Sequence, residues 1–156
     1  MRRLDRKTDD VLGILQKCKV LRLGLCANNA PYVVPLNFGY TLENGALTFY
    51  LHCANAGKKL DMIRQNANVC IELDGSHELV RGESACSCTF YYESLIASGQ
   101  AELVDHFEQK AYALQKIMEH QCGAGTYEFP QKTVDGVTII KVTCTEYAAK
   151  AHTKEA

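Results

Sequence analysis

The segment FYLHCANAGKKLDMIRQN, residues 49 to 66, carries the side chains best placed by type and spacing to do chemistry. An apolar run ends in His52, and five positions later Gly57 precedes Lys58, Lys59 and a stretch with helical spacing. The first amide N–H groups of a helix have no intrahelical partner, glycine lets a ligand approach the backbone, and the helix dipole adds positive partial charge. Helices ordinarily carry acids in their first turn, so two lysines there oppose the dipole. A bound phosphate would reconcile them with it, and so would a solvated basic turn balanced by Asp61. The pattern is neither a Walker loop nor a GxGxxG fingerprint, so spacing alone leaves both readings open.

A strand and a helix must hold these groups, and the surrounding sequence supplies both. Residues 46–52, ALTFYLH, alternate Leu47, Phe49 and Leu51 against Thr48, Tyr50 and His52, the period of a strand, and a helix is expected from about 57 to 66. Upstream, TDDVLGILQKC (8–18) offers Thr8 as N-cap, acidic first-turn residues and apolar positions 11, 12, 14 and 15, which predicts a short amphipathic helix. VLRLGLCA (20–27) and PYVVPLNFGY (31–40) alternate on either side of an NNA turn, and ENG at 43–45 closes a second hairpin. NVCIELDG (68–75) reads as a strand, and HELVRGESACSCTF (77–90) as a loop or a strand with an excursion. YESLIASGQAELV (92–104) reads as a long strand with Gly99 at a bulge or close approach. DHFEQKAYALQKIMEHQ (105–121) predicts a helix with an Asp105–Glu108 capping box and a buried stripe of Phe107, Ala111, Leu114, Ile117 and Met118. After the turn-rich CGAGTYEFPQ, VTIIKVTCTEYAAK (137–150) is the last strand. Strands in neighbouring hairpin pairs, with few helices between them, favour a mainly β fold with flanking helices, an antiparallel barrel over a doubly wound parallel sheet.

A chain of 156 residues with 47% apolar content has the size of one domain, expected over 1–150 with a tail at 151–156. Seventeen basic against eighteen acidic residues leave no general field for nucleic acid or anionic lipid, so any anion site must be local. The longest apolar runs are strand-sized, and MRRLDRKTDD has no apolar segment behind its basic residues. Neither a membrane span nor a signal peptide is expected, and the predicted location is cytoplasmic. Of eight cysteines, Cys18, Cys26, Cys70 and Cys144 lie in or beside apolar runs and read as reduced, buried small hydrophobes. Only Cys86 and Cys88 are closely spaced; without a second Cys/His pair they point away from zinc and leave a redox-sensitive surface pair as the alternative. No metal site is predicted. No convincing Ser-His-Asp, Cys-His or paired-carboxylate arrangement stands out, and Asp61 and Glu72 read as a solvated helix face and a strand surface.

Taken in order, MRRLDR at the start, PYVVPLNFGY, FYLHCANAGKKLDMIRQN and YYESLIASGQAELV resemble the nitroimidazole-resistance (Nim) branch of the pyridoxamine 5'-phosphate-oxidase-like flavoproteins, from residue 1 to about 121. The resemblance implies an FMN-binding split β-barrel that forms a homodimer, with FMN at the subunit interface. It places the phosphate near Gly57, Lys58 and Lys59 and lays the isoalloxazine along Val34, Pro35, Leu36 and Asn37. Pro35 has no N–H to complete a ladder, which suits an edge facing a flat ring as well as a plain edge-strand proline. Tyr92 and Ser94 match the family's Y-x-S and would approach the flavin from the same or the partner subunit, or else mark a structural strand start.

The resemblance also puts His52 close to the flavin, where an imidazole can donate a proton to a substrate or stabilise charge on it; a hydrogen-bonded structural histidine at the barrel rim is the other reading. The final YAAKAHTKEA has no Arg-x-His-x-Arg-like motif, so oxidation of pyridoxamine phosphate itself is not expected. The expected function is instead that of an FMN-dependent oxidoreductase, passing electrons from a reduced nicotinamide or other small donor to a small acceptor such as a nitroaromatic. The alternative is a non-catalytic flavin- or haem-binding protein for storage or sensing.

Overall fold

The computed structural model describes residues 7–154. Its strands are β1 (Lys7–Thr8), β2 (Val20–Ala27), β3 (Ala30–Asn37), β4 (Gly39–Glu43), β5 (Ala46–Cys53), β6 (Asn68–Val80), β7 (Thr89–Val104) and β8 (Thr138–His152). Helices α1 (Val11–Lys17), α2 (Lys58–Gln65), α3 (Phe107–Cys122) and α4 (Gln131–Asp135) flank them. Every pairing is antiparallel, in the order β3-β2-β6-β7-β8-β5-β4, with β1 added to β8. The sheet curls without closing. Its edge β3 comes up to β5 with no ladder between them, which makes the fold a split barrel.

Alternation builds the interior. Leu21, Leu23 and Leu25 of β2, Phe49 and Leu51 of β5, Ile71 and Leu73 of β6, and Leu95 of β7 turn inward and are buried. Ile14 and Leu15 of α1 and Leu60, Met62 and Ile63 of α2 join the same core. Each such side chain contributes about 1.5–3 kcal/mol relative to exposure. A second, smaller cluster lies on the other face of β5, where Tyr50 packs with Val104, Val134, Ile139 and the Ala113, Leu114 and Ile117 stripe of α3.

Several local expectations change in the folded chain. Thr8 lies in β1, opposite Ala149, so the N-cap of α1 is Asp10, whose carboxylate accepts from the Gly13 N–H at 3.0 Å. The strand expected over 31–40 is two, broken at the fully buried Phe38, whose ring meets Phe49 edge-on at 5.6 Å and His120 at 4.5 Å. Helix α3 starts two residues later than its capping signal, with His106 at the N-cap and no side-chain cap bond. The Asp105–Glu108 box therefore does not form, and Phe107 is 37% exposed while Lys110 and Ala113 join the buried stripe. β6 runs on to Val80 through an irregularity between Gly75 and Glu78, where Ser76 takes a positive φ of 53°. The expected bulge at Gly99 is present as a register shift against β8, and β8 continues to His152.

Two of the cysteines are also corrected. Cys18 is buried and Cys144 half-buried, its thiol pushed up to about 11 by burial, but Cys26 and Cys70 are exposed. Both occupy the outward phase of β2 and β6, where membership of an apolar run does not confer burial. Among the described residues no helix is long and apolar enough to cross a membrane.

Candidate functional site at the end of β5

β5 pairs with β4 from Ala46 to Tyr50 and with β8 from Thr48 to Cys53, with His52 opposite Ile139. The pleat that buries Leu51 turns His52 outward, and its side chain is exposed. There it lines a concavity of about 290 Å³ with Val20, Pro35, Leu36 and Asn37, at the seam where the β3 edge approaches β5. Pro35 sits opposite Arg22 on this edge strand, and its missing N–H leaves a gap in the line of donors that an open edge presents. The four expected ring contacts do not form one surface. Pro35 and Asn37 point outward, whereas Val34 and Leu36 occupy the opposite phase and pack on the core. Asn37 is tied down, its amide donating to Lys19 O at 3.1 Å and to Gln121 Oε1 at 3.3 Å.

The loop from β5 to α2 is held by Asn55, whose amide donates to Asp135 O at 2.9 Å and whose carbonyl accepts from Thr138 Oγ1 at 2.8 Å. Gly57 then caps α2 with φ +145°, a backbone conformation that favours glycine, and a Cβ there would have nothing within 4 Å. Its carbonyl accepts from Leu60 N and Asp61 N at 3.1 and 3.3 Å, so the amides of Lys58 and Lys59 precede the first intrahelical bond. α2 itself is anchored by burial of Leu60, Met62 and Ile63.

The two lysines differ in surroundings. The Lys58 ammonium lies 4.3 Å from the centre of the Tyr32 ring, a cation–π contact. Lys59 is half-buried near Cys53; burial pushes that thiol up, and the Lys59 charge opposes the shift. Asp61, the acid that could have balanced the turn, pairs instead with Arg64 at 3.2 Å. Among the described residues no carboxylate stands within ion-pair distance of Lys58 or Lys59.

Tyr92 and Ser94 lie elsewhere in the chain. Tyr92 is opposite His152, and Ser94 is opposite Asp74 and Lys150. Counted through β8, the row containing His52 meets β7 at Val104, ten positions beyond Ser94; counted through β2 and β6, the row containing Pro35 meets it at Ile96, two positions from Ser94 and three strands, about 14 Å, from Pro35. A single chain thus brings together His52, Pro35 and Asn37, sets Gly57, Lys58 and Lys59 beyond the end of the His52 strand, and places Tyr92 and Ser94 outside that concavity, three strands away from Pro35 across the sheet. Between the latter two, Glu93 is buried and fixed by Lys17 at 2.8 Å and by the Ser76 hydroxyl at 2.5 Å. The Lys17 bond, then the Ser76 bond, holds its carboxyl below the usual range. Tyr32 and Asn55 were not singled out in the sequence: their roles come from contacts 26 and 80 or more residues away, and nothing local signals them.

The open, wholly antiparallel split barrel with a helix launched from the end of an inner strand defines a structural class, and comparison with known proteins agrees. The pyridoxamine 5'-phosphate oxidase family profile matches residues 7–151, and the chain belongs to that family. A solved structure of a candidate 5-nitroimidazole antibiotic resistance protein from Bacteroides thetaiotaomicron is 30% identical, with a TM-score of 0.80 over 92% of this chain and 83% of that one. The flavocytochrome Anf3 of Azotobacter vinelandii is 21% identical, with a TM-score of 0.76 over 95% of this chain and 69% of that one. A FAD- and heme-binding protein of Mycobacterium smegmatis is 14% identical, with a TM-score of 0.77 over 93% and 71%. These last two likenesses are of fold alone. No curated protein matches the sequence significantly.

Proposed function

We propose that this chain is a flavoprotein that binds FMN, with the phosphate at the start of α2 and the ring in the seam between β3 and β5. It acts as a homodimer that passes electrons from a reduced nicotinamide or other small donor to a small acceptor, nitroaromatics being one class. The observation that carries the reading is the pair of first-turn lysines at an open glycine cap, left without a carboxylate because Asp61 pairs with Arg64. The donor set suits a phosphate dianion: two ammonium groups, free amides and a dipole of the right sign, with space in front of Gly57. The five positions from Tyr32, which Lys58 touches, to Asn37 cover about 17 Å of strand, a length that accommodates an elongated nucleotide.

Bound FMN would supply the electron-transfer chemistry, and few catalytic side chains are then required. Lys58 and Lys59 hold and orient the phosphate. The β3 edge at Pro35 offers a surface without a projecting N–H, and His52 donates a proton to the substrate as it is reduced. One feature favours the dimer: Val33, Leu79, Phe90 and Ile96 are 48–62% exposed apolar residues on strands. Eight free cysteines suit a reducing cytosol.

The purified protein should be yellow and show a flavin absorbance spectrum, FMN should be released on denaturation, and anaerobic NADH or NADPH should bleach it. A colourless protein that takes up no FMN overturns the reading, and a haem Soret band in place of the flavin spectrum would turn it toward ligand storage or sensing.

A further inference from the structure

The turn joining β6 to β7 plays no part in the flavin reading. After Val80 the chain makes a 3₁₀ turn at Ala85–Ser87 before β7 begins at Thr89, and every residue from 81 to 88 is exposed. The turn is nevertheless built. Ser84 and Ser87 form a reciprocal capping box, in which Ser84 N–H donates to Ser87 Oγ at 2.9 Å and Ser87 N–H donates to Ser84 Oγ, and Ser87 Oγ–H also donates to Ser84 O at 2.9 Å. Gly82 packs so closely that a methyl group there would overlap Ser87 Oγ. Cys86 and Cys88 flank this fixed serine, and the Cys88 thiol donates to the same Ser84 carbonyl at 3.6 Å.

That arrangement sets a distance. A helical residue between two cysteines brings their Cα atoms to roughly 5–5.5 Å, from the pitch and radius of a 3₁₀ turn. Disulfides take Cα separations of about 4.4–6.8 Å. An extended residue in place of the helical Ser87 would spread the pair to about 6.5–7 Å, at or past that limit. The other exposed thiols have no such partner: Cys26 and Cys70 are diagonal neighbours on rigid strands, about 7–8 Å apart, and Cys122 stands at the end of α3.

We propose that Cys86 and Cys88 form a redox-active dithiol that exchanges with low-molecular-weight disulfides of the glutathione type. The Cys86 thiolate attacks one sulfur of the small disulfide, breaks its S–S bond and releases the first small thiol, which takes up the proton that Cys86 lost. Cys88, now deprotonated, attacks the Cys86 sulfur of the mixed disulfide and releases the second small thiol. Two protein thiols thereby give up two electrons and two protons, and one small disulfide becomes two thiols. A ring closed over a single intervening residue is strained and exposed, so the bond reverts readily on addition of a small thiol, unlike a structural disulfide.

The test uses the full chain, reduced, freed of reductant and incubated with glutathione disulfide, with products mapped by mass spectrometry in the wild type, Cys88→Ser and Gly82→Ala. The wild type should lose two hydrogens at a Cys86–Cys88 bond, roughly ten times faster than Cys26, Cys70 or Cys122 acquires glutathione. Cys88→Ser should hold a glutathione adduct on Cys86, and Gly82→Ala, which displaces Ser87, should slow ring closure while the adduct accumulates. Separate glutathione adducts on both cysteines of the wild type, disulfide-linked chains through either of them, or reaction at Cys122 alone each overturn the proposal. Ring closure unaffected by Gly82→Ala would overturn the role given to the turn. The flavin content of the sample does not enter any of these readouts.

Discussion

The middle and the end of β5 are neighbours in sequence and opposites in environment. Phe49 and Leu51 are wholly buried in the barrel interior, and Tyr50 between them is buried on the other face beneath α3. His52 is exposed, as are Ala54 to Lys58 beyond it. The alternation of the strand does not change at this point; what changes is the cover, because α3 reaches Tyr50 and stops short of His52. The strand is thus anchored by one half and presents open polar groups with the other, so the exposed groups can be altered at little cost to folding.

The sharpest test of that division is in the buried half. Phe49→Ala should cost about 3–5 kcal/mol through lost burial and an unfilled cavity, read as a lower urea midpoint with an unchanged slope. A loss under about 1 kcal/mol would mean the core relaxes around Phe49 and the division is weaker than the burial implies. In the open half, replacing Lys58 and Lys59 with alanine removes charge-assisted contacts of about 1.5–3 kcal/mol each before coupling, so FMN affinity should fall tens to hundreds of times while the unfolding midpoint holds. Unchanged FMN content in the folded double variant would take the phosphate away from α2.

His52→Ala should keep most of the FMN and slow reduction of an acceptor by roughly ten- to a hundred-fold, with stability within about 0.5 kcal/mol of the parent. Loss of FMN and of thermal stability together would show His52 to be structural, and full turnover with every acceptor would remove it from the chemistry. The smallest effect concerns a charge already committed to the fold. Glu93 is held below its ordinary 4.5, so its contribution is complete above that pH and is lost as pH falls through the depressed value. The Lys17 bond raises the lysine above its ordinary 10.5, so its contribution lasts up to that pH and fades as pH rises through the raised value. Because the Lys17 side chain is 53% exposed, the change should stay under about 1 kcal/mol, and Glu93→Gln should flatten the acid limb of a stability-against-pH curve.

What the sequence disclosed followed the range of its signals. Two-residue alternation located β2, β5 and β8 to within a few residues, because a pleat imposes its period on contiguous positions. The bulge at Gly99 was legible since a glycine inside a strand has few other uses, and Gly99 there lies against Thr143 and Cys144. Thr8 has the residue type of a cap but pairs with Ala149, which no local pattern can indicate. The break at Phe38 depends on α3 lying across the chain, and the exposure of Cys26 and Cys70 follows from strand phase, which membership of an apolar run does not reveal. At the candidate site, the motif around Gly57 could be seen directly, but the meeting of His52 with Pro35 and Asn37 depends on how the barrel curls, a property of the whole sheet.

Gly39, where β4 begins, faces the backbone of α3 so closely that a Cβ would overlap atoms of Lys116 and Ile117. β4 is an outer strand of the sheet, and because a Cβ stands off the face of a strand, the missing one lets α3 lie flat on β4. A single methyl group at this position would lift the helix from the strand and loosen the cover that its Ala113, Leu114 and Ile117 give Tyr50. The seating of a whole helix thus turns on a residue with no side chain.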